Sequence, residues 1–485
     1  MARDLNKLQA EFEEAMSYHQ LGQVDEAETR YRKLMKKAPK TPALHNNLGL
    51  VLQAQHRIDE AVKQLERAVK LDRQYVDAHS NLGNAYRRAG RFDEAIKSLE
   101  RALKLNPAYV QALGNLGNTY LDMGRLEESE KAYRDGLNVL PDQPDLYYNL
   151  GRVLHEQGRW HDAEQSFRKT LSLNNAYPLA HWNLSHVLLL QGRFREGWIE
   201  YEWRWHCPGF TTQIPKFDQP RWDGKDISGK TLLVYAEQGF GDTVQFVRYL
   251  PALSASGCRV IFLCQPELRR LMHDISRVEE IITDWTALPE FDVHTPLMSL
   301  PMLLGMREET EIPRDLPYLT PPADGADAPS GTAGLKVGLV WAGRESHLLE
   351  AQRSLDVVQL RALTEVAGCH FFALHEDDYS DELVSAGMAD AVTDLSGKLS
   401  DFGDTARIIA SLDLVIGVDT AVIHLAGALN VPVWTMLAKT GDWRWMLERE
   451  DTPWYPTMRL FRQVERGDWS PVISRIAQEL AKRCA

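Results

Sequence analysis

Gly90-Arg91-Phe92-Asp93-Glu94-Ala95 returns as Gly158-Arg159-Trp160-His161-Asp162-Ala163, and more loosely as Leu21-Gly22-Gln23-Val24-Asp25-Glu26-Ala27. The closing residues keep step: Ala27, Ala61, Ala95, Ser129, Ala163 and Gly197 are each 34 residues apart. Leu48-Gly49, Leu82-Gly83, Leu116-Gly117 and Leu150-Gly151 hold the same step, as do Pro39, Pro107 and Pro141 with one unit skipped. A fixed period of this length marks a solenoid of stacked units. Each unit reads as two short helices, with glycine where they pack closely, alanine in the second helix and proline stopping it. One unit cannot bury its apolar face alone. Six stacked units share a continuous core and form a superhelix with a concave groove.

This pattern resembles the tetratricopeptide repeat over residues 8–205. A second ladder runs through it: Asn47, Asn81, Asn115, Asn149 and Asn183, also 34 apart, each directly before a Leu-Gly or Leu-Ser pair. A carboxamide offers both a donor and an acceptor, and so can bond a peptide backbone without reading its side chains. The ladder resembles the one with which the eukaryotic O-GlcNAc transferase superhelix grips acceptor polypeptides. The alternative is an Asn that caps or bridges neighbouring helices. The first unit departs, with Glu13 at that place. The sixth drifts into Trp198-Ile199-Glu200-Tyr201-Glu202-Trp203-Arg204-Trp205. That run reads as a terminal helix docked on the next domain, with an aromatic ligand box as the alternative. Residues 206–229, rich in Pro and Gly, read as a linker.

From Lys230 the period changes. Thr231–Tyr235 is an apolar run before a Gly-rich turn, a helical pattern follows, and Arg259–Cys264 is another buried strand. This β-α-β alternation predicts a parallel sheet in a lobe covering 230–320. Residues 321–334 read as an inter-lobe linker. A second lobe over 335–485 repeats the plan, with strands at Lys336–Trp341, His370–Leu374, Leu412–Val418 and Val431–Met436. The fold class is thus an α superhelix followed by two Rossmann-like α/β lobes of GT-B type, with ligands expected at the carboxyl ends of the strands.

Val418-Asp419-Thr420-Ala421-Val422-Ile423-His424-Leu425-Ala426-Gly427-Ala428-Leu429-Asn430-Val431-Pro432 runs strand, turn, helix, strand. Free N–H groups and the positive end of the helix dipole at Asp419-Thr420-Ala421 suit a diphosphate. His424, four residues after Thr420, falls on the same helix face. The string resembles the D-T-x-x-x-H-x-A-x-A-L-x-x-P signature of family 9 glycosyltransferases, the heptosyltransferase-like group, where it binds the donor's diphosphate and sugar. The alternative is an ordinary N-cap and a satisfied core histidine. Gly239-Phe240-Gly241-Asp242 resembles that group's opening G-D stretch, which implies that Asp242 is the base for the acceptor hydroxyl. An Asp that opens a helix after Gly is also an ordinary cap. The following Pro251 comes late for the family pattern. In the family a basic residue after the first strand of the second lobe neutralises donor phosphate. No lysine stands between Leu339 and Ser396, so Arg344 or Arg353 must serve. Glu376 matches, by position only, an acid that takes ribose hydroxyls. Trp445 and Trp454 read as packing residues, with the role of Arg444 open.

No D-x-D pair precedes Asp419, because Gly417 holds that position, so no metal is expected and the only cofactor-like group is a nucleotide-sugar co-substrate. The chain of 485 residues is 44% hydrophobic and 25% charged, ordinary globular usage. No apolar run approaches the ~20 residues of a membrane helix. No secretory signal is visible in Met1–Lys7. Net charge is −13, split as +1 over residues 1–210 and −14 over the rest. Neither part has the basic field of a nucleic-acid binder. Five scattered cysteines without C-x-x-C spacing predict reduced thiols in a cytoplasmic protein. The layout resembles bacterial tetratricopeptide–glycosyltransferase fusions. It implies an inverting protein O-glycosyltransferase whose groove binds the acceptor polypeptide, with flagellin as one acceptor class. The rival readings are an inactive scaffold and a transferase acting on a glycan or lipopolysaccharide. The repeats also offer a surface for oligomerisation.

Overall fold

The structure is a computed structural model that describes residues 2–210, 216–327, 329, 334–343, 354–375 and 379–484. Twelve helices come first: α1 (Ala2–Gln20), α2 (Val24–Lys37), α3 (Pro42–Ala54), α4 (Ile58–Leu71), α5 (Val76–Arg88), α6 (Phe92–Leu105), α7 (Val110–Asp122), α8 (Leu126–Val139), α9 (Pro144–Glu156), α10 (Trp160–Leu173), α11 (Pro178–Leu190) and α12 (Phe194–Tyr201). They form the helical solenoid that the period predicts. The chain divides into two compact units, Met1–Ala180 and His181–Ala485. The division falls inside α11.

In the first unit the 34-residue letters have direct physical causes. A Cβ added to Gly151 would stand 2.6 Å from the Phe167 ring, and Gly49, Gly83 and Gly117 meet Leu65, Leu99 and Tyr133 just as closely. These glycines let the second helix of each pair lie directly on the first. The turn inside each pair needs one residue in the left-handed region. Gly22, Gly90, Gly124 and Gly158 supply it with φ of 71–74°, and His56 supplies it in the second pair with φ 62°. Buried Ala27, Ala61, Ala95 and Ala163 fill the seams that a larger side chain would open.

The second unit holds two parallel sheets. The first joins β1 (Thr231–Tyr235), β2 (Arg259–Leu263), β3 (Glu280–Ile282) and β4 (Val293–Pro296) in the order β3-β2-β1-β4. The second joins β5 (Leu335–Val340), β6 (Cys369–Ala373), β7 (Val392–Asp394), β8 (Leu414–Val418), β9 (Val433–Leu437) and β10 (Met458–Arg462) in the order β10-β9-β8-β5-β6-β7. Counted from β5 this is the doubly wound order 3-2-1-4-5-6, whose switch point lies between β5 and β8. The sequence pattern anticipates both lobes but not the strands β3, β4, β7 and β10.

Residues 216–229 lie against the first sheet. Arg221 bridges His294, the Trp222 N–H donates to the His294 carbonyl at 2.8 Å, and the Phe217 ring meets those of Tyr235, Phe291 and His294. The aromatic run also packs. Trp198 is buried and makes edge contacts with Phe246 and Trp443 at 5.8 and 5.2 Å. Beside it Arg204, fully buried, donates to Glu202 and Glu237 at 2.7 Å each and to Ser299 at 2.9 Å. The C-terminal helix Ser470–Cys484 buries Val472, Ile473, Ile476 and Leu480 in the core of the second lobe.

Candidate active site in the C-terminal unit

The carboxyl ends of β5, β6 and β8 surround a cavity of about 120 Å³ at the switch point. Val340, Ala342 and Gly343 come from β5 and its exit, Leu374 and His375 from β6, and Thr420, Ala421 and Val422 from the turn after β8. Phe402 and Thr405 close one side, and Phe240 reaches in from the first lobe to meet the Phe402 ring at 4.9 Å. Burial pushes His375 down to about 3, so it lines the cavity as a neutral imidazole.

Thr420 is the N-cap of the helix Ala421–Ala428, in extended backbone, yet its hydroxyl caps nothing. Its Oγ1 is buried without a hydrogen-bond partner among the described residues. The first N–H groups of a helix have no partner within it. Uncapped donors and an unused hydroxyl therefore line the same cavity wall. The neighbouring residues are engaged elsewhere. Asp419 Oδ2 accepts the Trp445 indole N–H at 2.8 Å, and His424 Nε2 faces Asp419 Oδ1 at 3.6 Å. His424 Nδ1 lies 2.9 Å from the Tyr455 hydroxyl, so both ring nitrogens face protein groups, away from the cavity lining.

The helix α13 (Phe240–Phe246) follows β1 and packs its start against that of Ala421–Ala428. A Cβ on Gly241 would stand 3.1 Å from His424 Cδ2 and 3.4 Å from Ala421 Cα, which explains the glycine. Asp242 Oδ2 accepts the Gly239 N–H at 2.9 Å, and its Oδ1 pairs with Arg444 Nη2 from the turn after β9. Arg444 also donates to Asp442 at 2.9 Å and to Gln245. Burial opposes its charge, but Asp442 and Asp242 outweigh burial and hold the guanidinium protonated above its ordinary value. The acidic start of one lobe is thereby tied to the other lobe. A second tie lies across the seam. Arg270 donates to Asp401 and Asp404 at 3.1 Å each, and Asp404 also accepts from the Ala326 N–H at 2.9 Å and from Ser400. Burial raises the Asp404 carboxyl, and these hydrogen bonds overcome it and hold it down to about 2.

Residues 369–467, from β6 to just past β10, match the model of glycosyltransferase family 9 (heptosyltransferase). That stretch contains Asp419, Thr420, His424 and Arg444. Residues 369–467 form a glycosyltransferase family 9 domain. Asp242 lies outside the matched residues. Tetratricopeptide repeat models match residues 9–41 and, in overlapping windows, 40–176. Protein FlbA of Caulobacter vibrioides is 30% identical over 318 residues, 59% of this chain and 52% of that protein, so the match spans about half of that relative's length. Among solved structures, MamA is 26% identical with a TM-score of 0.30, covering 33% of this chain and 94% of that one. Pseudomonas aeruginosa PilF is 18% identical with a TM-score of 0.37, covering 42% of this chain and 91% of that one.

Of the residues expected to serve the family 9 domain, Thr420 and Ala421 line the cavity, Asp419 and His424 stand behind it, and Asp242 stands at the lobe seam with Arg444. Arg344, Arg353 and Glu376 lie outside the described residues. Sequence reading missed His375, although it is adjacent to Glu376, and left Arg444 open. An arginine between two tryptophans was the signal, but nothing local names its partner 202 positions away.

In the repeats, Asn47, Asn81, Asn115 and Asn149 are all half-buried. Asn81 Nδ2 donates to Asn46 Oδ1 at 2.9 Å, and Asn115 Nδ2 to Ser80 Oγ at 3.2 Å, each reaching the preceding repeat. Their amide donors thus bridge neighbouring helices. Asn149 Oδ1 takes a bond from Arg152 at 3.4 Å, and Asn47 donates to the Tyr31 hydroxyl at 3.4 Å. Asn183 lies in the second unit, half-buried on α11. No helix among the described residues is long and apolar enough to cross a membrane.

Proposed function

We propose that the chain is a nucleotide-sugar-dependent, inverting protein O-glycosyltransferase. The observation that carries this reading is the unused Thr420 hydroxyl beside the uncapped helix start in the switch-point cavity. A diphosphate suits that wall because helix N–H groups and the dipole favour anions. The apolar faces of Leu374 and Phe402 suit a nucleobase. Arg344 or Arg353 adds the positive charge and Glu376 takes ribose hydroxyls in this reading. Asp419 and His424 hold the turn in place. The acceptor hydroxyl gives its proton to Asp242 as its oxygen bonds the anomeric carbon, and the nucleoside diphosphate leaves with the electrons of the broken C–O bond. Preorganised donors stabilise the departing charge. The repeats hold the acceptor polypeptide. Asn81 and Asn115 each spend one amide donor on the scaffold and keep carbonyl oxygens for backbone N–H groups of the acceptor, with flagellin as the first acceptor to try.

The engagement of Asp242 in both a helix cap and an ion pair favours one rival, a scaffold without transfer. A single experiment separates them. Thermal unfolding with UDP, GDP, ADP, TDP, CDP and CMP, followed by transfer from the matching sugar nucleotide, is run on wild type, Thr420→Val and Asp242→Asn. Ligand at about 100 times its Kd adds ~2.7 kcal/mol of stability. One nucleotide should raise Tm, and Thr420→Val should weaken that rise. Asp242→Asn should keep the rise while transfer falls ~10²-fold or more, the scale of a lost general base. No rise with any nucleotide, or full transfer by Asp242→Asn, would reverse the reading.

A further inference from the structure

Cys369 opens β6, and Cys484 is the last residue of the helix Ser470–Cys484. They are 115 positions apart, and their Sγ atoms stand 3.0 Å from one another. The two thiols are in direct contact, and a bond of about 2.05 Å needs them to move only about 1 Å closer. All five cysteines are free thiols, and Cys369 and Cys484 are both half-buried rather than sealed in the core. The chain before the strand also runs close to the helix end, since a Cβ added at Gly368 would stand 3.5 Å from Cys484 Cβ.

We propose that Cys369 and Cys484 are an oxidisable dithiol, which a low-molecular-weight disulfide such as oxidised glutathione converts to a staple between β6 and the C-terminal helix. The Cys484 sulfur attacks one sulfur of glutathione disulfide, and the old S–S bond breaks to release one glutathione thiol. The Cys369 sulfur then attacks Cys484 Sγ, forming the internal bond and releasing the second glutathione thiol. Two protein thiols are oxidised, one disulfide is reduced to two thiols, and the two protons leave on glutathione. Burial, and then the neighbouring sulfur, hold the Cys369 thiol up to about 12, so its closing attack on the mixed disulfide is slow at neutral pH. Disulfides of reducing compartments are commonly of this transient, redox-responsive kind.

The staple lies at the amino end of β6, whereas the cavity lies at its carboxyl end, about 20 Å along the strand at ~3.3 Å per residue. It should therefore change the stability of the second lobe and leave nucleotide binding alone. Closing so long a loop constrains the unfolded chain strongly.

The test oxidises the full chain with glutathione disulfide and follows thiol count, peptide map and Tm. Titratable thiols should fall from the five of the sequence to three, with a peptide cross-link joining Cys369 to Cys484. The Tm of the second lobe should rise by roughly 5–10 °C and return with dithiothreitol. Cys484→Ser and Cys484→Ala, both in the final helical turn, should match reduced wild type and show no oxidative rise. Five remaining thiols, glutathione adducts in place of the cross-link, a cross-link between chains, or an equal rise in either Cys484 variant would overturn the proposal. Because the readout is stability, it stands or falls apart from any transferase activity.

Discussion

In the repeat unit each close approach is made several times with the same letters. Gly49, Gly83, Gly117 and Gly151 each admit a large side chain of the partner helix. In the C-terminal unit the corresponding tight places are made once. Arg204 meets Glu202, Glu237 and Ser299, which come from a short helical turn, the end of β1 and the segment after β4. Arg444 meets Asp242 and Gln245 across about 200 positions. A rule used many times is written in the period of the sequence and tolerates a local exception. A cluster used once has no spare copy, and its loss is felt in full.

The sharpest way to break this contrast is at Arg204. Arg204→Met should cost ~3–5 kcal/mol of the C-terminal unit's stability, because it leaves Glu237 buried without its counter-charge. Adding Glu237→Gln should recover part of that loss in a denaturant titration. If Arg204→Met costs no more than an ordinary surface change, single-use clusters are not where this unit is fragile.

A smaller effect belongs to the seam between the lobes. The Asp404 carboxyl is held at about 2 against an ordinary 3.8, so between those values the folded chain binds fewer protons than the unfolded one. Its contribution is fully present above pH ~4 and is lost as pH falls through about 2. Wild type should exceed Asp404→Asn in Tm at pH 7, and the gap should close as the pH is lowered from 4 towards 2. A gap that is constant with pH would mean that the advantage of Asp404 over Asn does not come from its charge.

The same contrast explains what the sequence reveals. Six helical pairs follow from one period, and the two lobes follow from strand-turn-helix alternation, because both are local patterns. The Asp419–Thr420 turn is legible for the same reason. What the residues around it do is not. His424 turns both nitrogens to Tyr455 and Asp419, and Asp242 is bound by an arginine from the other lobe, through contacts that no spacing encodes. The ladder asparagines are visible at their period, and their partners Asn46 and Ser80 also stand 34 residues apart, but the residue type there changes from Asn to Ser, so the pairing leaves no repeated letter.

The smallest effect tests whether a repeated rule really tolerates its exception. The turn between paired helices takes a left-handed residue in every unit, and only in the second is it a non-glycine, His56 at φ 62°. A left-handed non-glycine residue costs roughly 1 kcal/mol against glycine, offset in part by the greater freedom glycine brings to the unfolded chain. His56 adds one weak contact, from Arg88 Nη2 at 3.4 Å on an exposed surface. His56→Gly should therefore stabilise the first unit by up to ~1 kcal/mol, a rise of a few degrees in Tm. The reverse change, Gly90→His at the matching turn, should cost a similar amount. If His56→Gly instead destabilises, the contact with Arg88 outweighs backbone strain, and the second repeat is specialised rather than merely tolerated.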